Sequence, residues 1–254
     1  MNENMKCLVV LPCYNEEENL KPLIHNIDAV LKHTIPYKVI VVNDGSQDNT
    51  KVLLKELSNQ YPLIIEEHEH NQGLSEALST GLETALTLSS DEDLIITMDS
   101  DNTHDPKYIL DMITTAKDGA DIVIGSRYAS NGKQVNVPPF RVFLSKSVNL
   151  LIKEISRIPA EDLTSGYRCF RAHVVRKTKA SFGSKLIESK GFEVSLELLA
   201  KTFLHCTTLS EVPMLLDYGK KRGKSKMKLL PTIRRYLTLL LKVNKWRKQL
   251  ETNS

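Results

Sequence analysis

The sequence predicts an α/β domain, a mostly parallel sheet with helices on both faces. In the first half of its 254 residues, short apolar, β-rich runs alternate with stretches whose apolar residues recur at helical spacing. Such βα repeats bury their strands between two helical layers. Polar segments follow the strands directly, at the sheet edge where open α/β sheets bind ligands.

The apolar runs predict strands over residues 7–11, 38–42, 63–66, 93–98 and 121–124, with helices between them over 16–32, 49–59, 75–88 and 106–116. In the first helix Leu20, Leu23, Ile24, Ile27, Val30 and Leu31 share one face. Asn15 is its expected N-cap, with Glu18 closing a capping box. Asp105-Pro106 is a second helix start. Gly73, Ala77 and Gly81 form a small-residue stripe on the third helix, which reads as close packing against the sheet. The second half predicts a helix over 141–156, a loop over 157–164, a strand over 167–171, a helix over 192–203 and a strand over 207–213. A Gly- and Lys-rich segment over 218–228 and a basic helix over 231–250 follow. The expected division is a main domain over 1–228 and a basic helix and tail over 229–254.

Composition excludes several classes. The chain is 41% hydrophobic and 26% charged, ordinary for a globular protein. No apolar run approaches the roughly 20 residues of a membrane span, and the N-terminus carries no signal-peptide pattern. The four cysteines have no close pairing, so reduced, buried thiols in the cytoplasm are expected. The net charge of +3 conceals an asymmetry: residues 218–250 hold 12 Lys or Arg and no Asp or Glu. The remainder has 22 basic against 31 acidic residues, a balance of −9. An acidic body thus carries a basic tail suited to an anionic partner.

Four strand ends deliver polar groups to one rim: Pro12-Cys13-Tyr14-Asn15-Glu16, Asn43-Asp44-Gly45-Ser46, Asp99-Ser100-Asp101 and Gly125-Ser126-Arg127. Asp99 and Asp101, two apart on extended chain, point to one side. A carboxylate pair without a His or Cys cluster fits Mg²⁺ or Mn²⁺, whose shell substrate phosphates complete, and not zinc. Asp44 suits a ribose or base contact, though Asp44-Gly45 also reads as a tight turn with Ser46 or Asp48 capping the next helix. No Gly-x-Gly-x-x-Gly or Gly-x-x-x-x-Gly-Lys loop is present, which argues against NAD and P-loop chemistry. His68 and His70 alternate with Glu67 and Glu69, a solvated edge more than a metal site. Arg127 and Arg141 flank a Gly-, Asn- and Pro-containing loop and are either phosphate grips or surface arginines. The Lys-rich run 220–228 is either an anion-covering loop or a solvated charge run.

With Val9-Val10-Leu11-Pro12-Cys13-Tyr14-Asn15-Glu16, Asn43-Asp44-Gly45-Ser46-Gln47-Asp48 and Met98-Asp99-Ser100-Asp101, the chain resembles the family 2 glycosyltransferases of GT-A fold, a Rossmann-like, mostly parallel sheet. His104, Pro106, Gly125-Ser126-Arg127-Tyr128, Asp162-Leu163-Thr164-Ser165-Gly166-Tyr167-Arg168 and Gly223-Lys224-Ser225-Lys226-Met227 are similar to the dolichol-phosphate and polyprenyl-phosphate mannosyltransferases within it. The resemblance implies that Pro12, Tyr14, Glu16, Val42 and Asp44 hold the nucleotide. It also implies that Asp99, Asp101 and Thr103 surround Mg²⁺ or Mn²⁺ and that Ser100 touches the donor. Arg127, Lys220 and Lys226 would contact donor phosphates or sugar, and Arg141 the acceptor phosphate. Asn43 stands where an acid is usual, Thr103 where some members have Gln, and Lys220 where Arg is common. No C-terminal membrane segment is present, so a membrane-spanning form is not expected.

The implied reaction inverts the sugar while moving it from a nucleoside diphosphate sugar, GDP-mannose favoured, to a polyprenyl phosphate. Asp162 is the candidate base if the acceptor is a hydroxyl instead. At about 1 kcal/mol per Lys or Arg near an anionic leaflet, half of the tail's charges would give roughly 5–6 kcal/mol, enough for peripheral attachment at the cytoplasmic membrane face. Leu237, Leu240, Leu241 and Trp246 would add apolar contact. Rival readings are a transferase acting on a polysaccharide hydroxyl, a sugar nucleotidyltransferase and a basic nucleic-acid-binding module. The acidic body and the lack of interleaved aromatics weigh against nucleic acid.

Overall fold

All five apolar runs of the first half enter one seven-stranded sheet in the computed structural model, which describes residues 5–191, 193–220, 234–243 and 245–246. The strands are β1 (Cys7–Cys13), β2 (Tyr37–Asp44), β3 (Leu63–His68), β4 (Leu94–Thr97), β5 (Ile122–Ser126), β6 (Lys133–Val135), β7 (Arg168–Arg171), β8 (Leu209–Pro213) and β9 (Leu215–Asp217). The sheet order is β3-β2-β1-β4-β7-β5-β8. Only β7 runs antiparallel to its neighbours, so β1, β2, β4 and β5 all end on one rim. β6 and β9 pair as a separate parallel ribbon that the sequence pattern does not predict.

The helices are α1 (Glu17–Leu31), α2 (Thr50–Leu57), α3 (Leu74–Leu88), α4 (Tyr108–Lys117), α5 (Pro139–Ser156), α6 (Ala172–Phe182) and α7 (Val194–Phe203). A further helix spans residues 234–243. Strand residues alternate between two cores. Cys7, Val9 and Leu11 face α1, α2 and α4, while Leu8 and Val10 face α3, α5, α6, α7 and the C-terminal helix. Burial on both faces is why these strands read as continuous apolar runs. Two members of the small-residue stripe pack as expected: Ala77 is buried, and a Cβ on Gly81 would overlap Val10 Cγ1 and lie 3.2 Å from Val42 Cγ2, whereas Gly73 is the cap of α3 at φ +95 with open space beside it.

Two expectations are corrected. Asn15 does not cap α1; it sits at φ +53, and its Oδ1 accepts from the Gln47 N–H at 2.8 Å. Glu16 occupies the cap position without a side-chain cap bond. The C-terminal helix is no loose appendage over its described part. Tyr236, Leu239, Leu240, Val243 and Trp246 are buried in the second of the two cores, and Trp246 packs edge-on against Phe182 at 6.1 Å. The Lys201 ammonium stands 4.4 Å from the centre of the Trp246 ring.

Candidate active site

The loops at the ends of β1 and β2 are laced together, which presets the rim. The Asn15 N–H donates to Ser46 Oγ at 3.0 Å, the Glu16 N–H to Thr50 Oγ1 at 3.0 Å and the Asn49 N–H to Glu17 Oε2 at 2.9 Å. Asp48 Oδ1 accepts from the Thr50 N–H at 3.0 Å, but the cap position of α2 is Asn49, so neither Ser46 nor Asp48 is the expected cap. Asp44 is buried and strapped to the loop before α3. Its carboxylate accepts the Gln72 and Gly73 N–H groups at 2.9 and 2.8 Å and lies 2.7 Å from His68 Nδ1. The other ring nitrogen of His68 is 3.0 Å from Thr80 Oγ1, so this histidine is a structural brace.

The acidic pair is held by a turn and not by strand alternation. β4 ends at Thr97, and Asn102 takes a left-handed conformation at φ +63. The Asp99 side chain is 53% exposed, whereas Asp101 is buried. Asp101 Oδ1 accepts from Thr103 Oγ1 at 2.6 Å and from its N–H at 3.1 Å. His104 Nδ1 accepts the Asp99 N–H at 3.1 Å, and the His104 ring stacks on Tyr167 at 5.0 Å. Ser100 Oγ donates to the Pro12 carbonyl at 2.8 Å, tying the turn to the end of β1.

Behind the end of β5 lies a buried ion pair. Arg127 donates from Nε to Asp162 Oδ2 at 2.7 Å and from Nη2 to Oδ1 at 2.6 Å, and its own N–H adds a third bond at 3.0 Å. The Ser165 N–H donates to Oδ1 at 3.2 Å. Burial disfavours the Asp162 carboxylate, but the charge and hydrogen bonds of Arg127 outweigh it and hold the pKa below the ordinary value. The reciprocal balance raises the Arg127 pKa. Asp162 is fully buried, does not line the cleft and has both oxygens bonded to Arg127, which argues against the general-base role anticipated for a hydroxyl acceptor.

A cleft of 620 Å³ gathers most of the expected residues. Pro12, Tyr14, Glu16 and Asp44 line it from β1 and β2, and Asp99, Ser100, Asp101 and Thr103 from the turn after β4. Arg127 and Arg141 line it as well. Three expected residues are placed elsewhere. Val42 is fully buried in the sheet. Asp162 stands behind Arg127. Lys220 pairs with Asp105 Oδ2 at 3.1 Å and does not line the cleft. Lys226, the Gly223–Met227 motif and most of the Lys-rich run lie outside the described residues.

Several lining residues are not foreseeable from the motifs: Asn71, Lys190, Arg235 and Tyr236. In the sequence Arg235 and Tyr236 read as part of a basic tail, and only their packing reveals them. Arg168 belongs to a motif that assigns it no role. It is fully buried, with Nη2 donating to the Leu163 carbonyl at 2.9 Å and Nη1 to that of Ser195. Burial lowers its pKa to about 10 despite Asp162 nearby. It braces the segment that carries Asp162.

Comparison with known proteins gives the family. The model for glycosyl transferase family 2 matches residues 8–180. The chain is similar to a dolichol-phosphate mannosyltransferase of Pyrococcus furiosus, at 33% identity over 97% of this chain and 66% of that protein. It therefore spans a little under two thirds of that relative's length. It is also similar to a polyprenol monophosphomannose synthase of Mycolicibacterium smegmatis, at 30% identity over 87% of this chain and 81% of that protein. In fold it is similar to glucosyl-3-phosphoglycerate synthase of Mycobacterium tuberculosis, solved with Mn²⁺, UDP and phosphoglyceric acid. That likeness has a TM-score of 0.66 and 20% identity, over 94% of this chain and 78% of the other. The family match over residues 8–180, which takes in six of the seven sheet strands, with relatives at 30% identity or more over most of the chain, makes this chain a member of glycosyl transferase family 2.

Proposed function

We propose that this chain transfers mannose from a nucleoside diphosphate mannose, GDP-mannose favoured, to the phosphate of a polyprenyl-type lipid, using Mg²⁺ or Mn²⁺. The observation that carries the reading is the division of charge in the cleft. The acids Asp99 and Asp101 come from a strand end. The cations Arg141, Lys190 and Arg235 come from α5, the segment before α7 and the C-terminal helix. Among the described residues none of these three cations has an ion-pair partner. Such a cleft would suit a diphosphate with a divalent cation beside a second anion. The names of the two mannosyltransferase relatives favour the same donor sugar and acceptor class.

Asp99 and Asp101 fit a hard divalent cation. Both offer oxygen, and the lone pair of His104 Nδ1 is already engaged by a backbone N–H. Two carboxylates leave the rest of the shell to substrate phosphates, with Thr103 as a candidate third neighbour. Such an ion, when bound, offsets charge on the departing diphosphate. Pro12, Tyr14, Glu16 and Asp44 would hold the nucleotide, and Ser100 would touch the donor. Arg127, fixed by Asp162 and Thr164, would have only its remaining nitrogen to offer the phosphates, and Lys226 would add charge from outside the described residues. The acceptor phosphate oxygen is already an anionic nucleophile, so orientation suffices and no strong base is needed. Its bond to the anomeric carbon forms as the bond to the diphosphate breaks on the other side. The nucleoside diphosphate leaves with the electron pair, and the centre inverts.

A lipid acceptor requires contact with a membrane surface. Among the described residues no helix is long and apolar enough to cross one. α5 instead exposes Phe140, Phe143, Leu150 and Leu151 at helical spacing, the two phenylalanines at 68% and 69%. The C-terminal helix exposes Leu237 and Leu241. The anticipated contact through Leu240 and Trp246 is corrected, since both are buried in the core. The exposed ridge and the basic tail together suit peripheral docking on an anionic leaflet. Phe140→Ser with Phe143→Ser is expected to weaken binding to anionic lipid vesicles by at least about tenfold, at roughly 1.5–3 kcal/mol per buried aromatic. Unchanged sedimentation with vesicles would remove the ridge from the account.

The reaction is tested with labelled GDP- and UDP-sugars, Mn²⁺ and a polyprenyl phosphate. The expected product is a solvent-extractable lipid sugar labile to mild acid, made best from the mannose donor. Label that stays in acid-stable, water-soluble material would refute the lipid acceptor.

A further inference from the structure

The helix over residues 234–243 closes one side of the cleft with a residue that the family motifs do not include. Arg235 lines the cleft beside Tyr236, and among the described residues it has no ion-pair partner. Its seat depends on Gly191: a Cβ there would overlap Arg235 Nη1 and come within 2.7 Å of Glu193 Oε2. Glu193 is 4% exposed, and its Oε2 has no hydrogen-bond partner among the described residues. A buried carboxylate oxygen and the guanidinium thus border the same space above Gly191, with no ion pair joining them. The helix itself is anchored. Tyr236, Leu239, Leu240, Val243 and Trp246 enter the core, and Lys201 holds Trp246 from one side and Glu197 from the other, at 2.5 Å. Glu197 in turn accepts the Glu188 and Ser189 N–H groups, which fixes the segment leading to Lys190 and Gly191.

Arg127 is already committed to Asp162, so the strong cation nearest the donor end is largely spent. Arg235 carries no such commitment among the described residues. It also comes from a helix whose outer side carries Leu237 and Leu241, next to where a lipid would arrive.

We propose that Arg235 binds the phosphate of the acceptor, across the cleft lining it shares with Arg141, with Glu193 and Gly191 as its positioning residues. This rests on the reaction proposed above and adds a specificity element to it. A fork-shaped guanidinium suits a terminal monophosphate, which offers two oxygens in the spacing of its donors.

The test uses the full chain with nucleoside diphosphate and Mn²⁺ present, and farnesyl phosphate as the acceptor probe. Arg235→Ala is expected to raise the Kd and KM for farnesyl phosphate about tenfold, the loss of one charge-assisted bond pair. Arg235→Lys recovers part of this, and Gly191→Ala weakens the acceptor in the same direction by displacing the guanidinium. The nucleotide Kd stays within twofold throughout, and binding of farnesol, which lacks the phosphate, does not respond. An acceptor Kd within twofold of wild type in Arg235→Ala overturns the proposal, as does equal weakening of nucleotide and acceptor. A wild-type chain that transfers sugar while Arg235→Ala matches it sinks the Arg235 assignment and leaves the reaction standing. A wild-type chain that binds farnesyl phosphate through Arg235 yet makes no lipid sugar does the reverse.

Discussion

Asp162→Asn is expected to destabilise the fold by about 3–5 kcal/mol, because it strips the buried Arg127 guanidinium of its counter-charge and of one of its three acceptor oxygens. The variant keeps the volume and one acceptor oxygen but loses the charge. Arg127 cannot escape to solvent, being largely buried with its backbone N–H tied to the same carboxylate. The buried Arg168 loses its nearest counter-charge too. Urea unfolding measures the effect directly. The pH dependence follows from the direction of the Asp162 shift. Its pKa is lower in the folded state, so its contribution is complete above the ordinary carboxylate value of about 4 and disappears as pH falls through the depressed value. Wild type should lose stability over that acid range, and Asp162→Asn should lose less of it. A variant as stable as wild type would mean that the pair is not the brace described.

The second large effect is catalytic. Asp99→Asn with Asp101→Asn is expected to lower kcat by about a hundred- to thousandfold, the usual scale for removing preorganised charge stabilisation. The two changes preserve shape. The amide oxygen introduced by Asp101→Asn could still accept the Thr103 hydroxyl, and the Asp99 side chain is more than half exposed, so the melting temperature should hold. Loss of turnover with an intact fold would separate this pair from Asp162, whose substitution acts through the structure. Full turnover in the double variant would mean that the acids do not hold an ion.

The sheet was legible because its strands are buried on both faces. Runs such as Leu8-Val9-Val10-Leu11 and Leu94-Ile95-Ile96 carry that signature locally. The rim was legible for a related reason: parallel strands must all end on one side, and the polar residues after them must meet there. What stayed hidden depends on distant partners. β6 is three residues of mixed polarity, a strand only because Leu215–Asp217 lies beside it. α6 could have been read from Val174, Val175 and Thr178 at helical spacing, but its many basic residues masked the pattern. Asp162 looked like a base because an acid in a motif gives no sign that an arginine 35 residues earlier saturates it. The C-terminal helix looked like a tail because its charge is local and its packing is not. Asn15 failed as a cap for the opposite reason, its side chain being claimed by the neighbouring loop.

In the proposed reaction, sugar passes directly from a nucleotide onto a lipid phosphate in a cleft that the acidic pair equips for a divalent cation. It is tested most directly by counting both products from labelled GDP-mannose and polyprenyl phosphate, first with chelator and then after Mn²⁺ is restored. No transfer is expected with chelator, and with Mn²⁺ one nucleoside diphosphate is released for each extractable mannosyl lipid. Undiminished transfer in chelator, or release of pyrophosphate in place of nucleoside diphosphate, would contradict it.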